Sequence, residues 1–304
     1  MASLKGRQIM TRKKILITGI NSYIGSSLKK WLEVSEDSVE ISEISLKNTT
    51  LHKLDLSEFD VVFHVAGIAH SNAKKQNLKQ DDRYYEVNTL LTINLAKLAK
   101  KSGVKQFVFM SSMIVYGAPY PLKIVKPIDK FTKPAPFNAY GNSKLQAELG
   151  LKELESDVFN IAIIRSPMVY GQNSKGNYPL LAKFAKKSPI FPNIDNKKSV
   201  IHIDNLCEFI RLIIKNDDTG IFHPQNKEVV STSMIVETIA NYHDSKIILT
   251  RIFNPILHLV TNVNLIKKVF GNYYYDAEIS VYKDDYQCLN FHDSIAETEK
   301  STSK

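Results

Sequence analysis

Cysteine is scarce in this chain: only Cys207 and Cys288 occur, far apart and without the spacing of metal ligands. Two distant thiols build no disulfide framework, so the reading is a reduced, cytoplasmic protein with structural thiols and no metal centre. Long apolar runs are missing too, and none reaches the roughly 18 residues of a membrane span. The opening Met1 to Lys14 is polar and basic and lacks the apolar core of a signal peptide. Residues 1–13 read as a disordered leader or a cloning remnant, and residues 294–304 as a polar tail that frays. No internal repeat or low-complexity block is visible.

Acidic residues are the minority charge, 31 against 40 basic ones, for a net of +9. That surplus suits anionic ligands such as dinucleotides and nucleotide sugars. The lysines come in ones and twos, as in Lys29-Lys30, Lys74-Lys75 and Lys186-Lys187, without the basic stripe or aromatic-basic motif that nucleic acid requires. They read as solvated faces, and neither nucleic acid nor membrane is expected as a partner.

What the chain does have is 43% hydrophobic and 23% charged residues over 304 positions, enough for a sizeable core in one doubly wound domain with a small appendage. Ile15-Leu16-Ile17 suits a buried parallel strand, Thr18-Gly19 starts a turn, and Tyr23 to Val34 reads as a helix. Strands follow at Val39 to Leu46 and Val61 to Val65, then a helix from Arg83 to Ser102. The strand Lys105 to Met110 ends at Ser111-Ser112, and the helical run Tyr140 to Ser156 feeds the strand Ile161 to Arg165. This alternation implies right-handed crossovers and a parallel sheet covered on both faces. Beyond Gly171 helices are expected over 180–187, 203–215 and 233–242. Ser188 to Asn196 reads as loop, and the aromatic-rich stretch Pro255 to Tyr286 resists assignment. The expected architecture is α/β: a Rossmann-type domain over 14–172, and a small mixed α/β substrate-binding region over 173–293 with a possible return strand to the sheet.

The turn Thr18-Gly19-Ile20-Asn21-Ser22-Tyr23-Ile24-Gly25 joins a strand to a helix. Glycine there lets backbone approach a pyrophosphate, and the helix start offers unpaired N–H groups and a favourable dipole. About 20 residues on should stand the group that reads the adenosine ribose. Glu43 would accept from a 2′-hydroxyl. If the strand runs to Leu46, then Ser45, Lys47 and Asn48 take that place and the lysine would favour a 2′-phosphate, so NAD and NADP both stay open. Farther along, Tyr140 and Lys144 lie four apart on one helical face. A phenol beside an ammonium is a candidate acid/base, since free phenol titrates near pH ~10 and needs help to work at neutrality.

Taken in order, the glycine turn, His64-Val65-Ala66-Gly67, Val87-Asn88, Ser111 to Gly117, Tyr140 to Lys144, Arg165 to Gly171 and Ile201 to Leu206 resemble the extended short-chain dehydrogenase/reductases that act on nucleotide sugars. The match covers Lys14 to Phe209. More narrowly, Gly176-Asn177-Tyr178-Pro179 and Ile190-Phe191-Pro192 look like the bacterial surface-polysaccharide branch that handles UDP-N-acetyl-6-deoxy-4-ketohexosamines, whose members are often described as UDP-glucose 4-epimerases. The resemblance implies that Tyr140 is the acid/base. It makes Lys144 the group that orients the nicotinamide ribose and lowers the tyrosine pKa, and Ser112 the group that binds the reacting sugar oxygen. It places Gly19, Asn21, Ser22, Tyr23, Ile24, Gly25, Ala66, Gly67, Ile68, Pro167 and Val169 against the cofactor. Asn88 matches a family asparagine that holds backbone beside the site. Met113, Asn177, Tyr178 and Lys198 would meet the substrate, while His202 and Asp204 fit a strand with capping better than a catalytic dyad.

The chain departs from the family at two points. Lys197-Lys198-Ser199 stands where relatives place an arginine that grips the diphosphate, giving point charge without a bidentate fork. Asp55, the match to the adenine-reading acid, lies only nine residues before His64, so the connecting helix is missing or Asp55 belongs to another loop. The implied activity is NAD(P)-dependent hydride transfer at C4 of a nucleotide-linked hexose. Reduction of a UDP-4-keto-6-deoxyhexosamine is placed first and a UDP-hexose 4-epimerase with bound NAD second. A 4,6-dehydratase fits less well, because Met113-Ile114 offers no second acid. From another class, a non-catalytic dinucleotide-binding or RNA-associated member is disfavoured by the intact Ser112, Tyr140 and Lys144. A homodimer through the Arg83 and Tyr140 helices is expected.

Overall fold

The computed structural model describes residues 12–35, 38–47, 49–69, 78–260 and 262–300. The expected leader up to residue 11, Asn48, Lys74-Lys75 and the last four residues of the tail lie outside them. In chain order the first half contributes β1 (Lys13–Thr18), α1 (Tyr23–Ser35), β2 (Val39–Ile44), β3 (Val61–His64), α2 (Leu78–Tyr84), α3 (Leu91–Lys101), β4 (Gln106–Ser112), α4 (Ala139–Lys152), β5 (Asn160–Ser166) and β6 (Met168–Tyr170). The second half adds α5 (Tyr178–Lys187), β7 (Ile190–Pro192), β8 (Val200–His202), α6 (Ile203–Lys215), β9 (Gly220–Phe222), α7 (Thr232–Tyr242), β10 (Ile248–Thr250), α8 (Asn254–Leu259), α9 (Asn264–Phe270) and α10 (Phe291–Glu299).

Short runs of β-branched and aromatic residues pair in parallel to form a six-stranded sheet ordered β2-β1-β3-β4-β5-β9. Because strand side chains alternate, Ile15 and Ile17 point to the α1/α6 layer with Val61, Phe63 and Val108, while Leu16, Val62 and Phe107 point to the α3/α4 layer. The strand β9 and the helix α6 come from the second half of the chain, yet both belong to this sheet unit.

A second core joins Tyr170, Tyr178, Leu181, Phe191, Ile235, Ile239, Phe291 and Ile295 from α5, α7, α10 and the small strands. Within it β7 pairs with β10 inside the stretch expected to be loop, and β6 pairs with β8 at the junction of the two cores.

Three expectations are corrected. Lys13, assigned to the leader, opens β1 opposite Val39. The tail does not fray at 294: Asn290 caps α10 by accepting from Asp293 N–H, and Phe291 and Ile295, one turn apart, are buried. Between β2 and β3 the chain makes only one 3₁₀ turn, Leu51–Lys53, and Asp55 Oδ1 accepts from Ser57 N at 2.9 Å just before β3. Among the described residues between β2 and β3 there is no connecting α-helix, and Asp55 serves a turn.

Candidate active site

The turn after β1 takes its shape from two left-handed residues, Gly19 at φ +89° and Asn21 at φ +61°. A Cβ on Gly19 would stand 3.1 Å from Ala66 backbone atoms, so only glycine lets the turn lie against the β3 exit. Ser22, which replaces the middle glycine, is a helix cap: its Oγ accepts from Gly25 N at 3.2 Å. The first intrahelical bond runs from Ser26 N to Ser22 O, leaving the N–H groups of Tyr23 and Ile24 in the unpaired first turn. Ile24 packs against the main core. The Tyr23 hydroxyl is buried without a hydrogen-bond partner and lies 2.7 Å from where a Gly171 Cβ would be. Burial holds its pKa above the ordinary phenol value. Free N–H groups at a helix start, glycine held clear of side chains and an unsatisfied buried hydroxyl together fit a dinucleotide diphosphate.

The strand β2 ends at Ile44, whose carbonyl accepts from Gly19 N at 2.9 Å. Glu43 turns toward α1 and is held by Lys29 at 2.8 Å, while Ser45 and exposed Lys47 follow the strand at the carboxyl edge. Across the turn, Asn88 fixes the β3 exit: its Oδ1 accepts from Ile68 N at 2.9 Å, and its Nδ2 donates to Ile68 O at 3.0 Å and to Ser143 Oγ at 3.1 Å. Asn88 sits in a π-helical turn, Tyr85–Leu90, that joins α2 to α3, and such widened turns let a side chain leave the regular ladder. A Cβ on Gly67 would meet Asn88 Oδ1 at 3.0 Å and Lys144 Nζ at 3.5 Å. Beneath lies buried His64, bridging Thr18 Oγ1 at 2.7 Å and Thr92 Oγ1 at 2.8 Å, with burial pulling its pKa down to about 3 so that it stays neutral.

Ser112 closes β4 and caps the one-turn 3₁₀ helix Met113–Tyr116, its Oγ accepting from Ile114 N at 3.4 Å. Asn138 caps α4 by accepting from Gly141 N at 2.8 Å, which sets Tyr140 in the first turn. One turn on, Lys144 is buried, its Nζ donating to Met110 O at 2.8 Å and standing 4.5 Å from the centre of the Phe109 ring. The expected phenolate stabilisation by Lys144 is corrected here. Burial drives the Tyr140 pKa up to about 12, and the group that opposes the rise is Ser112. Burial in turn pulls Lys144 down to about 8, and Glu148 opposes that.

Glu148 follows Lys144 by one more turn and is the residue that sequence reading missed, although its i+4 spacing puts it on the same face. Its carboxylate accepts from the Arg165 guanidinium, with Nη2 at 2.6 Å, and from the Ser111 hydroxyl. Arg165 Nη1 donates to Tyr116 Oη at 2.6 Å, and Tyr116 Oη meets His223 Nε2 at 2.7 Å. From the unassigned aromatic stretch, Tyr275 Oη donates to Arg165 O at 2.6 Å, and Tyr273 Oη donates to Met113 O at 2.6 Å and Gly117 O at 2.8 Å. A buried polar network therefore ties the helix of Tyr140 and Lys144 to the strand of Ser112 and to the small cluster of Met113, Ile128 and Tyr275. The tyrosines gave no sequence signal, because aromatic runs with irregular spacing have no period to read.

Several expected contacts are placed elsewhere. Tyr178 is buried in the second core, stacked on Tyr170 at 5.3 Å with its hydroxyl donating to Glu299 Oε1 at 2.9 Å, so its ring does not face a substrate cleft. Met113 turns its side chain into a cluster with Ile128 and Tyr275. Lys198 donates from Nζ to Lys268 O at 3.0 Å, and the surrounding protein pulls its pKa down to about 8. Asn177 precedes α5 without capping it. The Pro167 carbonyl accepts from Ser166 Oγ at 3.3 Å, and Val169 pairs with Ile201 and packs on the main core. His202 caps α6, its Nδ1 accepting from Asp204 N at 3.3 Å, and burial pulls its pKa down to about 4.

Residues 15–224 match the model of the NAD dependent epimerase/dehydratase family. The chain belongs to that family. A "UDP-glucose 4-epimerase" of Vibrio cholerae is 32% identical over 75% of this chain and 75% of its own length. An "N-acetyl-alpha-D-glucosaminyl-diphospho-ditrans,octacis-undecaprenol 4-epimerase" of Escherichia coli O157:H7 is 30% identical over 73% of this chain and 62% of its own. Among solved structures, the UDP-N-acetylglucosamine 4-epimerase from Bacillus cereus superposes with a TM-score of 0.72 at 17% identity over 96% of this chain and all of that one, a likeness of fold. This family member is an enzyme, and its sheet edge carries the serine, tyrosine and lysine described above.

Proposed function

We propose that this enzyme moves a hydride at C4 of a nucleotide-linked hexose, with Ser112 and Tyr140 managing the proton on the C4 oxygen. The arrangement that supports this is Ser112 at the end of β4 with Tyr140 and Lys144 one turn apart on α4, at the carboxyl edge of the sheet, where open α/β sheets bind ligands. NAD or NADP would be held by the turn from Gly19 to Gly25, the Ala66–Ile68 exit and the Pro167–Val169 strand start, and when bound it supplies the hydride transfer itself. Lys144, next to Gly67, orients whatever crosses that exit. Ser112 donates to the substrate oxygen and to Tyr140 in turn, and Tyr140 gives a proton to the C4 oxygen as the carbonyl is reduced and takes one up from it as the carbonyl forms. Tyr140 is neutral near pH 7, the form that can donate to a developing alkoxide.

One-way reduction of a UDP-4-keto-6-deoxyhexosamine is the first form of this reading. Interconversion of UDP-hexose C4 epimers on resident NAD is the second, and the 4-epimerase relatives favour it. The deciding experiment incubates the purified protein with UDP-4-keto-6-deoxyhexosamine plus NADPH or NADH, and separately with UDP-hexose alone. Consumption of reduced cofactor only with the keto sugar supports the reductase, and interconversion without added reductant supports the epimerase. Purified protein that neither binds NAD(P) nor turns over any UDP-sugar would remove the proposal. A homodimer is part of it, since Tyr85 and Leu90 on the turn joining α2 to α3 and Leu149 on α4 stay exposed. A monomer by light scattering at micromolar concentration would remove that part.

A further inference from the structure

The surface of the second core carries a feature that the catalytic reading does not use. From Ser245 to Tyr275 the chain contains no Asp or Glu, but has Lys246, Arg251, Lys267 and Lys268. In a chain with 31 acidic residues that absence makes the segment itself basic, with exposed Asp195 and Asp244 lying beside it. The same stretch leaves large apolar side chains in solvent: Ile248 is 66% exposed, Ile252 79%, Ile256 62% and Leu259 82%. Val263 is exposed as well.

These side chains form one face. Ile248 lies beside Ile190 in the β10–β7 ladder, and Ile190 is itself 44% exposed. Asn254 Nδ2 donates to Asn193 O at 2.9 Å, which fastens the start of α8 to the end of that ladder. Successive turns, Val260 N to Ile256 O and Val263 N to Val260 O, carry the face on at spacings of three and four residues. Leu257 points the other way, into the second core, so α8 is apolar on both sides. A contiguous exposed apolar patch marks an interaction site. Exposed Lys246, Arg251 and Lys268 flank it, and Lys183 and Lys187 stand on the outer side of neighbouring α5.

We propose that this face, Ile248 to Lys268, seats the protein on the surface of an anionic lipid bilayer. Apolar side chains that enter the headgroup boundary while flanking cations meet anionic lipid are the two forces that hold a peripheral protein in place. The binding is interfacial, since among the described residues no helix is long and apolar enough to cross a membrane. The proposal does not depend on the catalytic reading, because every residue it uses lies outside the Ser112, Tyr140 and Lys144 cluster.

The test is cosedimentation of the full chain with vesicles of phosphatidylcholine containing phosphatidylglycerol, and with vesicles of phosphatidylcholine alone. Binding to the anionic vesicles is expected, falling as salt is added. The paired change Ile256→Asp with Leu259→Asp should weaken it about tenfold or more. Arg251→Gln and Lys268→Gln should each cost about fivefold. Both patches are solvent-exposed, so thermal melting of the variants should match the wild type, and the Gln variants keep the test open if the Asp pair does not fold. Absence of binding to anionic vesicles, or binding that the Asp and Gln variants leave unchanged, would overturn the proposal. So would a dimer, seen by light scattering, that dissociates in the Leu259→Asp variant, because this face would then be covered by a second copy.

Discussion

The two cores of this molecule are held by different means. Around the sheet, a polar network runs through buried positions: Glu148, 1% exposed at its side chain, grips Arg165 at 7%, and that pair touches the strand of Ser112 and the helix of Lys144. The second core is held by stacked aromatics and by Glu299, 3% exposed at its side chain, whose charged partners reach it from nearer the surface: Lys186, 30% exposed, at 2.8 Å and His243 Nε2, 17% exposed, at 2.6 Å, with the Tyr178 hydroxyl at 2.9 Å. The difference bears on catalysis. Donors held on both sides by buried partners keep one geometry, which a proton transfer of the kind proposed above would need.

The sharpest way to break that comparison is Arg165→Gln. It leaves Glu148 buried without its partner charge and should cost about 3–5 kcal/mol in chemical denaturation. In the second core, Tyr178→Phe removes one hydroxyl from the Glu299 latch, leaves the Tyr170 stack, and should cost about 1 kcal/mol. Equal losses from the two changes would mean that the cores do not differ as described.

A smaller effect reads the electrostatics. Lys144 titrates at about 8 in the folded chain against 10.5 for an unperturbed lysine. Between those values the unfolded chain binds the extra proton, so this group makes stability rise with pH across that window. Lys144→Met should flatten that slope when urea midpoints are compared across the window, and a slope unchanged by the variant would contradict the assignment. If turnover requires the ammonium, activity falls as pH rises through about 8. Glu148→Gln should move that fall to lower pH, because Glu148 is the group that holds the proton on Lys144.

How far the sequence could be read follows the same division. Strands β1, β3, β4 and β5 are short apolar runs between clear punctuation, and the 203–215 helix was legible to the residue because its apolar positions recur at helical spacing. Gly19, Gly67, Asn88, Ser112, Tyr140 and Lys144 declared themselves by order along the chain. Glu148 did not, since a charged residue on a helix reads as a solvated one until burial is known, and Arg165 stood only as the first residue of a motif at the end of β5. In the second half Tyr178 was misread as a substrate contact because Asn-Tyr-Pro opens α5 with a tyrosine that turns inward. The tail was misread because α10 draws its stability from tertiary contacts of Phe291, Ile295 and Glu299, and its polar sequence predicts none of them.

The central claim is that Tyr140 handles a proton for hydride transfer at a sheet edge built to hold a dinucleotide. Its most direct test compares wild type with Tyr140→Phe for turnover of the UDP-sugar substrate and for NAD(P) binding. The account predicts a loss of turnover of about 100- to 10,000-fold with dinucleotide affinity and melting temperature nearly unchanged. A phenylalanine variant that turns over the sugar at the wild-type rate would contradict it.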